Sequence, residues 1–297
     1  MSNKLRKMTL EKKHNLTGWA FLAPATFLIA VFSFWPMIKA LVLSFQTGKG
    51  RNMQMAGFTD YIRMFQDDVF IQSIKNTFFY FILQVPIMLV VALVLACILN
   101  KKDLRFKGFF RTMIFVPCTT SLVAYSIIFR SLFANNGLVN YVLVNIGILD
   151  KPYNFLTQPF AANMVILLGL LWRWTGYNMV FFLSGLQNIE YSVYEAAKID
   201  GASAIQTFFK ITVPLLKPTI LLTAIMSTNG TLQLFDESVN LTDGGPANAS
   251  ISMSHYIYNL CFKYVPNFGY AAAMSFFILL LVAVLAFIQM RVGDKRD

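Results

Sequence analysis

The sequence predicts an all-α integral membrane protein: six spanning helices with one structured loop between the fourth and the fifth. Three observations predict it. Of 297 residues, 57% are hydrophobic and only 13% are charged, against about 25% charged in an ordinary soluble domain. Six apolar stretches reach the roughly 20 residues that cross a bilayer as helix. Basic residues concentrate in alternate connecting segments, as the positive-inside rule requires. The composition excludes disorder, collagen and coiled coil. The length leaves no room for a large soluble catalytic domain besides. The net charge of +11 fits basic inner loops rather than nucleic-acid binding.

The predicted spans are 19–45, 74–99, 112–133, 160–186, 214–235 and 268–290. The first is too long for a secretory h-region and lacks a small-residue cleavage site, so it reads as a permanent span. Pro24 and Pro36 are expected to kink it. The fifth is the most polar, diluted by Thr228, Asn229, Gly230, Thr231 and Gln233. Six spans put both termini on one side. That side carries sixteen Lys and Arg residues, in the N-terminus and in segments 100–111, 187–217 and 291–296, against seven on the other. Both termini are therefore expected in the cytoplasm. The outward segments 46–73, 134–159 and 236–267 read as ordinary loops with short helices. The chain divides into a basic segment 1–18, a first span and loop 19–70, a main domain 71–291 and a tail 292–297.

Catalytic chemistry finds no footing. Cys97, Cys118 and Cys261 do not suggest a disulfide framework. His14 and His255 are the only histidines and join no cluster with metal-ligand spacing. Gly48-Lys49 lacks the preceding Gly and following Ser/Thr of a phosphate loop. No catalytic residue, metal or cofactor is expected.

The 187–213 loop is long and carries Tyr194, Ala197, Ile205, Phe208, Phe209 and Ile211. Glu195-Ala-Ala-Lys198 is good helix sequence. Asp200-Gly201 breaks it, Gly supplying the turn and Asp a cap for the next helix. Residues 203–210 resume as helix, and Pro214 is placed to open the fifth span. A helix–turn–helix with exposed apolar side chains suits a protein socket; an amphipathic pair lying in the headgroups is the other reading.

The run Glu195-Ala196-Ala197, three residues, Gly201, nine residues, Ile211-x-Val213-Pro214 resembles the EAA loop of ABC-importer permeases. Val213 departs mildly from the usual Leu. Gly176-Tyr-Asn178, Gly185-Leu-Gln187, Leu241-Thr-Asp-Gly-Gly-Pro246 and Gly269-Tyr-Ala-Ala-Ala273 are similar to the carbohydrate-uptake branch, the type I importers of maltose and multiple sugars. The resemblance implies an inner-membrane subunit that works with a second permease, two cytoplasmic ATPases and an extracytoplasmic sugar-binding protein. It implies that 71–291 is the permease domain, with an EAA loop at 190–214. Within it, Glu195, Ala196, Ala197, Asp200, Gly201 and Ala202 would couple to the ATPase, and Phe208 and Phe209 would anchor the loop to the permease. ATP would be hydrolysed by the partners, and the chain itself would be no enzyme.

Sugar recognition needs rings to stack on and side chains that bond hydroxyls. Polar residues inside spans are costly and tend to face the interior. Three clusters qualify: Thr119, Thr120 and Ser121; Trp172, Arg173, Trp174, Tyr177 and Asn178; Ser227, Asn229, Thr231, Gln233, Asp236 and Glu237. Asn229 and Gln233 share a helical face. The Ser and Thr residues equally suit bonds within their own helices, Trp172 and Trp174 interfacial anchors, and Asp236 and Glu237 an outer loop. A di- or oligosaccharide is the expected cargo. The competing reading is a secondary transporter driven by an ion gradient, which would want midmembrane carboxylates; spans one to four have none. A non-transport receptor or scaffold would not need the coupling loop.

Overall fold

The computed structural model describes residues 10–49, 52–101 and 103–293. Residues 1–9 of the N-terminal basic segment, Gly50, Arg51, Lys102 and residues 294–297 of the tail lie outside the described residues. The chain opens with α1 (Leu10–Ile29), one π turn at Ala30–Phe34, and α2 (Trp35–Leu43). The wider turn falls just before Pro36, whose ring cannot fit under a regular helical hydrogen bond. Side chains from His14 to Lys39 are all exposed, so this helix takes no part in the chain's own core.

A hairpin follows, β1 (Gln46–Lys49) paired antiparallel with β2 (Asn52–Met55), and then α3 (Thr59–Arg63). The long α4 (Asp68–Asn100) is capped by Asp67, which accepts from the amides of Val69 and Phe70. Next come α5 (Lys107–Thr119), α6 (Leu122–Leu132), α7 (Leu138–Asn145) and α8 (Pro159–Gln187). The loop helices are α9 (Tyr191–Ile199), α10 (Ala204–Thr207) and α11 (Val213–Leu215), followed by α12 (Lys217–Leu232), α13 (Met253–Tyr258) and α14 (Phe268–Gly293).

Four helical stretches are long and apolar enough to cross a membrane, and two bent pairs bring the number to six if each pair is one span. The pairs correct two expectations. Residues 112–133 are not one rod: α5 and α6 meet at 98°. Pro117 removes a backbone donor, Thr120 and Ser121 turn extended, and the Thr119 and Thr120 hydroxyls both donate to the Val116 carbonyl. The fifth span opens at Lys217, not Pro214; Pro214 belongs to α11, which meets α12 at a 70° bend, and Pro218 occupies the first turn of α12. Hydropathy averages over a window and does not register such breaks.

The core is α4 against α8, with α5 and α12 on their flanks. Glycines set the closest approaches. A Cβ at Gly176 would sit 1.9 Å from the Ile114 carbonyl oxygen, and one at Gly169 would sit 1.9 Å from the Tyr125 hydroxyl. At one end of the bundle, Leu99, Leu104, Leu186, Phe208, Val213 and Leu216 form one apolar cluster with the α9–α11 segment. At the other end, the hairpin backbone at Gln46 touches Gly269, and Asn76 and Asn163 donate to the carbonyls of Asn248 and Ala249. That end is not a set of ordinary loops. Ser238, Ser250, Ser252 and His255 are buried there and bonded to one another.

Candidate functional site

Between α8 and α12 lies a cavity of about 420 Å³, within the range that small-molecule sites occupy. Its walls carry Arg173, Trp174, Tyr177 and Asn178 from α8, Ser227, Gly230 and Thr231 from α12, and Gln233, Asp236 and Glu237 beyond it. Arg173 to Asn178 span little more than a helical turn, so four of these side chains crowd one stretch of α8. The lining is ordered from behind. Asn178 donates to the Trp174 carbonyl at 3.1 Å and accepts from Ser227 at 3.3 Å. Thr231 donates to Gln84 at 2.6 Å. Trp174 and Tyr177 meet edge to face at 5.8 Å.

Arg173 and Glu237 are 7% and 4% exposed. The guanidinium sits over the rings of Tyr125 and Trp174, 5.6 and 5.5 Å from their centroids. Its Nε and Nη1 have no hydrogen-bond partner in the protein, nor has the Tyr125 hydroxyl. No Arg173 nitrogen comes within ion-pair distance of a Glu237 oxygen, yet the two lie close enough to feel each other's charge. Asp236 and Glu237 do lie past the end of α12, in the connecting segment, and both line the cavity.

Other expected residues fall elsewhere. Thr119, Thr120 and Ser121 form the α5–α6 break and do not line the cavity. Trp172 stacks on Tyr125 at 6.0 Å and packs against Phe129. Asn229 faces away, into an open groove between α12, α13 and α14 lined also by Ser254 and Ser275. Gln233 donates to Asn229 and lines both spaces. Their shared helical face is real but mostly not the cavity's. The residue missed from the sequence is Gln84 of α4, buried and facing the cavity. Its signal was available: an amide at midspan is costly unless bonded.

The loop helices occupy the end opposite the hairpin. Helix α9 ends in a Schellman motif: Gly201 donates to the Lys198 carbonyl and Ala202 to that of Ala197. Gly201 has φ +75° with open space around a would-be Cβ. Glycine is there for the left-handed backbone. Asp200 closes α9 rather than capping α10; Ser203 takes that position, in a capping box with Gln206. Ala197 is buried, whereas Glu195, Ala196, Asp200 and Gly201 are exposed and Ala202 half-buried. Phe208 packs into the α4–α8 cluster, but Phe209 points outward. Ile199 is 85% and Ile205 71% exposed, leaving an apolar rim around the turn.

At the hairpin end, Asp67 receives hydrogen bonds from the hydroxyls of Tyr256 and Tyr270, each at 2.7 Å. Burial pushes its pKa up, but those hydroxyls and the two cap amides outweigh it, and the net shift is downward. His255 has its Nδ1 at 2.9 Å from the Ser238 hydroxyl. Burial lowers its pKa, the Asp243 carboxylate 3.6 Å away raises it, Lys263 lowers it again, and the net shift is downward.

These features define a polytopic helical membrane protein with a polar cavity in its bundle and a capped helix–turn–helix projecting at one end. The chain belongs to the family of binding-protein-dependent transport system inner membrane components, whose model matches residues 67–296. It is 50% identical over 292 residues to the lactose transport system permease protein LacF of Rhizobium radiobacter, covering 98% of each chain. It is 32% identical to the multiple sugar-binding transport system permease protein MsmF of Streptococcus mutans, over 97% of this chain and 99% of that one. A solved bacterial alginate ABC transporter, in complex with an alginate pentasaccharide-bound periplasmic protein, superposes with TM-score 0.84 at 25% identity, over 96% of each chain. Members of this family are non-catalytic membrane subunits, with the ATPase on a separate chain.

Proposed function

We propose that this chain is one of two permease subunits of an ATP-driven sugar importer and that the cavity between α8 and α12 is a station on the sugar's path. The observation that carries the reading is the cavity lining: a donor-only guanidinium, two carboxylates, three amides and three aromatic rings, all presented to one space. Sugars offer that combination of hydroxyls and apolar ring faces. The relatives named for lactose and for multiple sugars point to a neutral di- or oligosaccharide.

The same reading assigns the sides. The α9 end and both termini are cytoplasmic, and the hairpin end receives the sugar-binding protein. The exposed α9–α10 turn, 190–214 with its flanks, is the seat of the ATPase. Glu195 and Asp200 offer carboxylates, Gly201 a bare backbone, and Ile199, Ile205 and Phe209 the apolar rim that a protein partner would cover. Dimer closure of the ATPases would drive the two permeases as rigid bodies between outward and inward access. The binding protein would favour the same transition by docking unequally to the two states.

Affinity purification of the tagged chain in mild detergent tests the assembly: a second permease and an ATPase subunit should accompany it. In proteoliposomes of that complex, Trp174→Ala should raise the KM for lactose about tenfold, the scale of losing one stacked, partly desolvated ring. An unchanged KM would remove Trp174 and its cavity from the path.

A further inference from the structure

Glu237 is 4% exposed, although it lies past the end of α12 at Leu232. Burying a carboxyl without hydrogen bonds is costly. Its partners are inside the protein: its own backbone amide and the indole N–H of Trp174. Trp174 belongs to α8, so the second bond joins α8 to the segment beyond α12. An indole has one donor and no acceptor, and Glu237 takes that donor. Neighbours hold the rest of the ring. Tyr177 meets it edge to face at 5.8 Å, and the Arg173 guanidinium lies 5.5 Å from its centroid. Even so, Trp174 is only half-buried and lines the cavity. A flat ring is thus tied down by its nitrogen and left partly open to the space where sugar would pass.

We propose that Glu237 is a positioning residue: it fixes the plane of the Trp174 ring so that the open part of the ring stacks on the apolar face of a sugar in the cavity. The proposal rests on the cavity being a station for sugar. Stacking depends on which way the ring faces. An indole free to turn about its side-chain torsions would be ordered only on binding, and that ordering subtracts from affinity. A ring already fixed by Glu237 avoids that loss. Accepting from an N–H needs an oxygen lone pair rather than a charge. The neutral amide oxygen of glutamine supplies one, whereas leucine does not. Glu237→Gln and Glu237→Leu therefore separate the hydrogen bond from the charge and from the bulk of the side chain.

Two readouts separate the bond from its consequence. The chain has four tryptophans, so isotopically labelled tryptophan in the purified full chain gives four indole N–H resonances. The one lost in Trp174→Phe belongs to Trp174. Glu237→Leu should move it upfield, toward a free indole, and Glu237→Gln should leave it in place. The second readout is lactose uptake by the assembled importer in proteoliposomes, with binding protein. There Glu237→Leu should raise the KM about fivefold, the scale of one net hydrogen bond, with the maximal rate little changed. Glu237→Gln should leave the KM near that of the unaltered importer. On a Trp174→Ala background, Glu237→Leu should raise the KM no further, because the residue acts only through the ring. Gel filtration checks assembly, and Glu237→Met, close to glutamate in length, replaces Glu237→Leu where that variant fails to assemble. A resonance unmoved in Glu237→Leu, or a Glu237→Gln as impaired as Glu237→Leu, would overturn the positioning role. A further KM rise on the Trp174→Ala background would also overturn it, by showing that Glu237 touches the sugar itself. The resonance is read without sugar. A moved resonance with an unchanged KM in Trp174→Ala discards the sugar station and the proposal with it. A KM raised by Trp174→Ala but not by Glu237→Leu discards the positioning role alone.

Discussion

The α9–α10 turn and the cavity between α8 and α12 are built by opposite means. The turn is made from neighbours in sequence. Its Schellman bonds span Ala197 to Ala202 and its capping box spans Ser203 to Gln206, while most of its side chains remain exposed. The cavity is made from residues far apart in sequence. Gln84 meets Thr231, Arg173 faces Glu237, and glycines in α8 let Ile114 and Tyr125 come close. A locally built element holds its shape with a free surface and suits docking. A cavity set by packing depends on every helix that walls it, which suits a space that must open and close.

Breaking the packing should have the largest effect. Gly176→Ala places a methyl where the Ile114 carbonyl already lies, and overpacking of that kind costs about 1–3 kcal/mol or more. Its melting temperature in detergent should drop clearly, and Gly201→Ala, with open space around it, should lose much less despite its left-handed backbone. Equal losses would show that the two regions are not built differently.

The turn should fail in function instead. Gly201→Asp should leave a folded chain in the membrane whose complex loses most binding-protein-stimulated ATPase activity; unchanged uptake would remove the turn from coupling. Glu195→Ala should act in the same direction and less strongly, as the loss of one exposed carboxylate contact.

Acid should act on the hairpin end in two windows. His255 has a lowered pKa in the folded chain, so the unfolded chain binds more protons just below its ordinary value. The stability His255 confers therefore falls as pH drops below about 6.5. Asp67 is also lowered, so its contribution is complete above the ordinary carboxylate value and is lost as pH falls below about 4. Thermal melts should show both steps, with His255→Gln removing the first and Asp67→Asn the second. A single step, or steps unmoved by these changes, would contradict the assignments.

The smallest effect is expected at Asn229. It faces the α12–α14 groove rather than the cavity, so Asn229→Ala should leave the lactose KM nearly unchanged while Trp174→Ala raises it. A raised KM at both would extend the path into that groove.

The same contrast governs what the sequence made legible. Spans and loop could be read because hydropathy, caps and turn glycines are written over a few neighbouring residues. The Gly201 turn was readable for that reason; the cap was misassigned to Asp200 because Ser203 competes for it three residues on. The break at Thr120 was missed although Pro117 signalled it, because an apolar window does not register a lost backbone donor. In the cavity, Arg173 and Trp174 were readable from the cost of burying them. That Asn229 turns away while Glu237 turns in could not be read, because it depends on where α12 ends against α13 and α14.

On the proposed reading, ATP hydrolysed by a partner subunit drives sugar movement through this chain. The direct measurement is accumulation of labelled lactose by proteoliposomes of the purified complex, with ATP inside and the binding protein outside. Accumulation against the gradient should require both, and should vanish with Gly201→Asp. Uptake that proceeds without ATP and follows an imposed ion gradient would contradict the account and establish the chain as a secondary transporter.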